Sequence, residues 1–278
     1  MMKLQICLLF TCLVVFPAHP LFAADIATEV RRGGEVEADT SDGGYLEIGG
    51  GLYYIESPIY GIPEEGQKEI LPAITINARY QYKGWFAEAF SESQNGLSLG
   101  YNAGNSRHWI IDLIGSIQHQ ELSEEESDKL EGLRSRHSDF MGGTRLTGYH
   151  GNYVTQLQLL HDISNTHHGY LVDVNAGRGW QIRNWNLHAL LGARYRSEKI
   201  IDYYLGVRDY EASERFPAYT AEGGMFYTVE TGVTYPLAQN WVFSSFMRYT
   251  RLPNKLTNSP LVVDNDAFEF LASINFVF

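Results

Sequence analysis

The sequence predicts an all-β protein, an antiparallel transmembrane β-barrel of about twelve strands with both termini periplasmic. Three observations predict it. The last twelve residues, 267–278, alternate: Phe268, Phe270, Ala272, Ile274, Phe276 and Phe278 form one apolar file, with Glu269, Ser273 and Asn275 on the other. That period of two is a strand with one oily face, and four phenylalanines on that face suit lipid better than a soluble core. The same alternation recurs from residue 43 onward in segments bounded by turn signals. Mean hydropathy is only -0.22, too polar for a helical membrane protein but expected where alternate residues of each strand face lipid.

The elements follow in order. Lys3, the apolar run from Leu4 to Phe16, the breakers Pro17 and Pro20 and the small pair Ala23-Ala24 predict a signal peptide over 1–23. Both cysteines, Cys7 and Cys12, fall inside it, so the exported chain is expected to be cysteine-free. Residues 24–43 are polar and patternless and read as a flexible periplasmic segment, leaving 44–278 as the barrel. Strands are expected at about 44–56, 70–82, 85–91, 96–102, 107–120, 139–149, 153–162, 169–180, 185–197, 225–235, 241–251 and 267–278. In the second, Ile74, Ile76, Ala78, Tyr80 and Tyr82 oppose Thr75, Asn77, Arg79 and Gln81. The acidic stretch 121–138 could include a short helix through the widely spaced Leu122, Leu130 and Leu133, but reads rather as a solvated extracellular loop, and 198–223 is the longest interruption. The long connections (57–67, 121–138, 198–223, 252–266) then fall at one end and the short ones (83–84, 103–106, 150–152, 181–184, 236–240) at the other. Outer-membrane barrels show that segregation, long loops outside and short turns inside. The even count rests on a chain reversal near Ser93 to Asn95.

Charged residues in mid-strand point into the lumen: the acids Glu47, Glu88, Asp112, Asp173, Glu230 and Glu269 and the bases Arg79, Arg145, Arg194, Arg196 and Arg248. Unpaired buried charge is costly, so they are expected to pair, with Arg248 meeting Glu230 or Glu269. Such a network either fills the interior for stability or forms a constriction that selects solutes. Barrels near this size are partly filled by side chains, which favours the first.

Chemistry is thinly represented. The formal net charge of -12 argues against a nucleic-acid partner. No GxSxG, phosphate loop or HExxH occurs. His161, Asp162, His167 and His168 have N/O ligand types, but their spacing matches no standard zinc motif. His161, Ser164 and Asn165 resemble the nucleophile and base set of outer-membrane phospholipase A. Here two residues separate His161 from Ser164, which puts them on opposite faces of a continued strand. Neither a catalytic residue, a metal ligand nor a cofactor site is therefore assigned.

From Ile201 to Pro260 the residues resemble a known family. Asp202-Tyr203-Tyr204-Leu205-Gly206-Val207 is followed by Phe216-Pro217-Ala218-Tyr219, Val233-Thr234-Tyr235, Asn240-Trp241, Arg248-Tyr249-Thr250-Arg251-Leu252 and Asn258-Ser259-Pro260-Leu261-Val262. This order is similar to the MltA-interacting protein (MipA)/OmpV family, and Gly96 to Tyr101 resembles its glycine-rich hairpin; Leu205 interrupts the YYGV pattern. The resemblance implies a non-enzymatic outer-membrane scaffold or adhesin, with a lytic murein transglycosylase and a peptidoglycan synthase as partners. It leaves a porin-like diffusion channel and a lipid hydrolase as alternatives. Tyr203, Tyr204, Gly206, Val207, Tyr219, Ser259 and Pro260 would then lie in two extracellular loops packed over the barrel mouth. Phe276 and Phe278 would be the terminal signal read by the barrel assembly machinery, in a membrane of lipid and lipopolysaccharide.

Overall fold

The computed structural model describes residues 26, 30, 42–63, 68–91, 97–119, 121–123 and 127–278. Among them, twelve strands close into one antiparallel barrel: β1 (Gly43–Glu56), β2 (Lys68–Tyr82), β3 (Trp85–Phe90), β4 (Leu97–Asn105), β5 (Trp109–Ser116), β6 (Met141–His150), β7 (Tyr153–Asp162), β8 (Tyr170–Ile182), β9 (Trp185–Arg196), β10 (Gly224–Ala238), β11 (Trp241–Arg251) and β12 (Asp266–Val277). Each strand pairs with its neighbours in the chain, and β1 pairs with β12 to complete the ring. No helix among the described residues is long and apolar enough to cross a membrane.

The alternation dictates this. Leu52, Ile70, Ile74, Val174, Leu191 and Ile274 are exposed on the outer wall, while Thr75, Asp112, Gln158, Asn175, Glu230 and Asn275 between them are buried. The exposed apolar wall is the lipid band. Where strands end in short turns, aromatic pairs line the rim: Trp85 with Tyr101, Trp185 with Tyr235 and Trp241 with Phe276, ring centroids 5.1, 4.5 and 5.2 Å apart. The tightest turn, Lys83-Gly84, has positive φ at both residues (49° and 84°). That geometry matches the twist of the strands it joins.

All connections of two or three residues lie at one end, here the turn end, together with the start of β1 and the end of β12. The long ones lie at the other, the loop end. β3 and β4 pair antiparallel, so the chain reverses between them and the count is even, although residues 92–96 lie outside those described. β4 continues past the expected boundary through a register shift between Asn102 and Gly104, which moves the following turn to 106–108.

Two loops differ from expectation. Residues Glu198–Leu205 form a helix, α1, inside the longest interruption, where the sequence reading assigns no element. Its residues Ile200, Ile201, Tyr204 and Leu205 make one apolar side, and all four are buried. The acidic stretch is not simply solvated. Leu122, Leu130 and Leu133 are buried and a 3-10 turn forms at Asp128–Leu130. The leucines carry the loop inward while its described charges stay outside, apart from Arg136, which is 1% exposed. Together with Ile59, Ile62, Phe216 and Leu256 they form an apolar cluster over the loop end. A second, smaller cluster lies within the turn end and includes Ile26 and Val30. Those two residues of the segment expected to be flexible are buried; the rest of 24–41 and the cleavage position lie outside the described residues.

Candidate functional site: the lumen and its cap

Inside the barrel the charged residues gather into clusters set by register. Arg145 faces Asp112 across β5 and β6 and ion-pairs with it at 3.1 Å. The same guanidinium reaches Glu88 on β3, three strands around the wall, at 2.5 Å. Arg194 faces Asp173 and pairs with it at 2.6 Å. Arg248 sits opposite Glu230 on one side and Glu269 on the other, with contacts of 2.6 and 2.9 Å. Tyr53 donates to Glu269 at 2.7 Å and His188 Nε2 meets Glu230 at 3.0 Å. That chain of contacts therefore crosses five consecutive strands, β9 to β1. Each pair satisfies what burial would otherwise make costly.

Three sequence-predicted residues lie outside these clusters. Half-buried Glu47 accepts from the Asn77 amide at 3.4 Å. Arg79 donates to Gln81 at 3.2 Å and lies over the Phe86 ring. Arg196 is buried but stacks on Phe226, 4.7 Å from its centroid, and its Nε and Nη2 have no hydrogen-bond partner. On β12, Asn275 lies over Gly49 of β1, and its amide oxygen accepts from the Thr75 hydroxyl of β2. A side chain at 49 would put its Cβ 2.0 Å from Asn275 Oδ1.

The cap is fastened by the residues that carry the family resemblance. Tyr204 is buried and its hydroxyl donates to His137 O. Tyr203 stacks under the Arg134 guanidinium at 4.8 Å and accepts the His137 N–H. Arg136 donates to Gly206 O at 2.9 Å and pairs with Glu211 at 3.2 Å. Val207 and Tyr219 form an isolated bridge, and the Tyr219 hydroxyl donates to Lys255 O. Ser259 Oγ donates to Leu205 O at 2.6 Å, and Pro260 precedes the Val262–Ile59 bridge to the loop after β1. The loops after β1, β5, β9 and β11 are thus cross-tied into one lid.

Beneath α1 lies a cluster of which sequence reasoning named only His167. Asp139 Oδ2 meets His119 Nδ1 at 2.6 Å and His167 Nε2 at 3.0 Å, all three residues buried. Tyr204 stacks on His119 with centroids 4.8 Å apart. Burial pushes the His119 imidazole down to about 4. Burial would raise the Asp139 carboxyl, but the two histidines more than offset it and hold it below the usual range. The trio has donor atoms within 4.8 Å of one another and the ligand types of an N/O metal site. Its hydrogen bonds do not leave those atoms available. The Gly169 N–H donates to His167 Nδ1, which places the His167 proton on Nε2, toward Asp139. A protonated nitrogen cannot ligate, and cationic Arg196 lines the same small cavity as His119. The arrangement fits a hydrogen-bonded brace between the loops after β5 and β7.

The residues grouped by sequence proximity separate. His161 and His168 are exposed, and only Asp162 and His167 turn inward. Ser164 Oγ donates to Asp162 Oδ1 at 2.6 Å and meets Thr166, while His161 Nδ1 meets Asp162 O at 2.8 Å. Serine and histidine are each committed elsewhere, so the hydrogen bond that would activate a nucleophile is not among their contacts. No run of sequence could have signalled the buried trio, because His119, Asp139 and His167 come from two different loops.

Comparison with known proteins follows this geometry. The family described as MltA-interacting protein MipA matches residues 48–278. The putative outer membrane protein YiaT of Escherichia coli K12 is 25% identical over 236 residues, covering 84% of this chain and 91% of that one. Outer membrane protein OmpV of Vibrio cholerae is 26% identical over 181 residues, 64% of this chain and 70% of its own. Among solved structures, an anion-selective porin from Comamonas acidovorans overlays at a TM-score of 0.38 with 8% identity, covering 86% of this chain and all of that one.

Proposed function

Because the chain belongs to the MltA-interacting protein MipA family and is an outer-membrane β-barrel, we propose that it serves as a non-enzymatic scaffold or adhesin rather than as a pore. In this reading residues 1–23 are removed on export, the lid faces the outside, and the short turns and both termini face the periplasm. The name of the family points to a lytic murein transglycosylase as the partner to test first; a peptidoglycan synthase, lipopolysaccharide and the barrel assembly machinery complete the set.

One observation carries the reading: the barrel is closed by built contacts rather than by a mobile loop. The lid is pinned through buried Arg136, Tyr204 and Ser259, and the lumen below is crossed by Arg145 and its carboxylates. A closed lumen leaves the outer surface and the turn end as the working parts. In planar bilayers the purified barrel is expected to give a flat trace, and immobilised barrel should retain a purified MltA-type transglycosylase. Steady single-channel steps together with no retention would overturn the proposal.

A diffusion channel is the second reading. Tyr45, Glu47, Tyr53, Leu71 and Arg79 on the inner side of β1 and β2 are only half-buried, so the interior is least filled along those strands, where a solute path would run. The same bilayer measurement separates the two.

A further inference from the structure

Two apolar side chains from the start of the chain sit inside the barrel. Ile26 and Val30 are 0% and 1% exposed and pack with Ile110, Tyr149, Val154 and Leu190. They are four positions apart, the spacing that brings two side chains onto one side of a helical turn, and both have helical backbone. Their seat consists of inward-facing positions of β5, β6, β7 and β9. Ile110, Tyr149 and Val154 lie next to the short turns, so the seat is in the turn-end half.

That seat is set apart from the other apolar part of the lumen. In the middle of the same strands the inward positions Asp112, Arg145, Gln156, Gln158 and Arg194 are buried and polar, and apolar residues return only at Ile114, Met141 and Leu160 under the lid. An apolar patch in a polar, ion-paired interior gains by being covered with apolar side chains. The adjoining strand is shaped for the same guest. Gly177 on β8 faces Val154 and Leu190. A Cβ there would lie 2.6 Å from Val30 Cγ2, whereas its next neighbour outside Val30, Ala189 O, is 3.4 Å away. The absent side chain is the space that Val30 fills.

We propose that the turn end of the lumen is a binding site for the chain's own amino-terminal segment, with Ile26 and Val30 as anchors and Gly177 as the notch that admits them. The barrel is then stoppered twice: by a cross-tied lid at the loop end and by an apolar plug at the turn end. The plug belongs to the part of the exported chain that begins just after the expected cleavage at Ala23. Ile26 and Val30 precede β1 in the sequence and belong to no strand of the wall, so this is the closure that can leave without breaking the wall. This does not depend on the scaffold reading, because a plugged barrel can serve a scaffold or a gated channel.

The exported chain is expected to be free of cysteine, which makes the site testable by thiol chemistry. The position of a Cβ at 177 is 3.5 Å from Val30 Cβ, within the span of a disulfide. In the full, folded barrel, V30C/G177C should oxidise to an intrachain disulfide, whereas V30C paired with S106C on the exposed 106–108 turn should not. Folding is checked by heat-modifiable gel mobility. Two free thiols in folded V30C/G177C after oxidation would overturn the proposal. V30C alone provides a second reading that leaves Gly177 intact. Its reaction with a hydrophilic maleimide should be at least about tenfold slower than that of S106C, since buried thiols are shielded. Adding G177L should bring the rate up to that of S106C. Equal rates in V30C and S106C without G177L would show that no plug is seated. Partner capture is measured separately, so loss of the plug and loss of the scaffold reading are distinguishable.

Discussion

Arg248, like Arg145, holds two buried carboxylates. It lies between Glu230 and Glu269, itself 4% exposed, so Arg248→Met strands two carboxylates in the interior. Breaking such a pair typically costs about 3–5 kcal/mol. The variant should show a lower urea midpoint for the folded barrel in detergent, and E230Q/E269Q added to it should recover part of the loss. An unchanged midpoint would mean the network is hydrated and structurally idle. His119 sets a pH dependence. Burial lowers its proton affinity from the ordinary 6.5 to about 4. Between those values the unfolded chain binds a proton that the folded one does not, so stability rises with pH and is lost as pH falls from about 6.5 toward 4. Hydrogen exchange of the loops after β5 and β7 should accelerate over that window, and H119F should flatten the response. At this scale the sequence was legible where period and adjacency suffice: Arg248 lies on the strand between those of Glu230 and Glu269, and the parity of its position places it inside. The Asp139 brace was illegible because it forms between loops, where no period assigns a face. Arg196 illustrates the same limit, since parity put it inside correctly but did not supply it with a carboxylate.

Among elements, α1 shows what a resemblance can hide. Its apolar residues fall at positions 200, 201, 204 and 205, a helical stripe of the kind that marks an amphipathic turn or two. The family motif begins at Asp202 and so cuts the stripe in two, leaving Ile200 and Ile201 outside it. The acidic loop shows the converse: Leu122, Leu130 and Leu133 are visible in the sequence as a spaced set compatible with a short helix, but the charge run outweighs them, and the lid needs the leucines. Arg136 joins the two elements. Arg136→Met leaves the Glu211 carboxylate and Gly206 O without their buried donor, so limited proteolysis within 206–216 should accelerate while the barrel keeps its heat-modifiable mobility. Resistance equal to wild type would show that the apolar contacts alone hold the lid. The terminal strand behaves differently. Phe278 is 70% exposed, with its ring against Phe276 and its N–H on Leu46 O. Phe278→Ala removes little buried area, so the unfolding midpoint should stay near wild type. If the terminal aromatic is an assembly signal, the amount of folded protein in the outer membrane should fall severalfold. A matching fall in both quantities would make Phe278 a stability residue instead.

At the scale of the molecule, strand number, closure and the two unlike ends were legible because lipid imposes a strict period on every strand. What seals each end was not, since helices and plugs obey no such period. The ring itself is joined by one pairing unlike the others. Eleven of its twelve seams link strands that follow one another in the chain, so their search is local. The twelfth joins β1 to β12, where Tyr53 and Glu269 touch although 216 positions separate them. Loop closure over such a span is the slow step of a β-topology. A search ordered by that cost would build the sheet hairpin by hairpin and leave the β1–β12 pairing until last. The seat of Ile26 and Val30 is built from β5, β6, β7 and β9 and includes neither β1 nor β12, so it needs no closed ring. In the plugged barrel proposed above, those two side chains would have somewhere to bind while the last strand is still missing, a part in assembly as well as in closure.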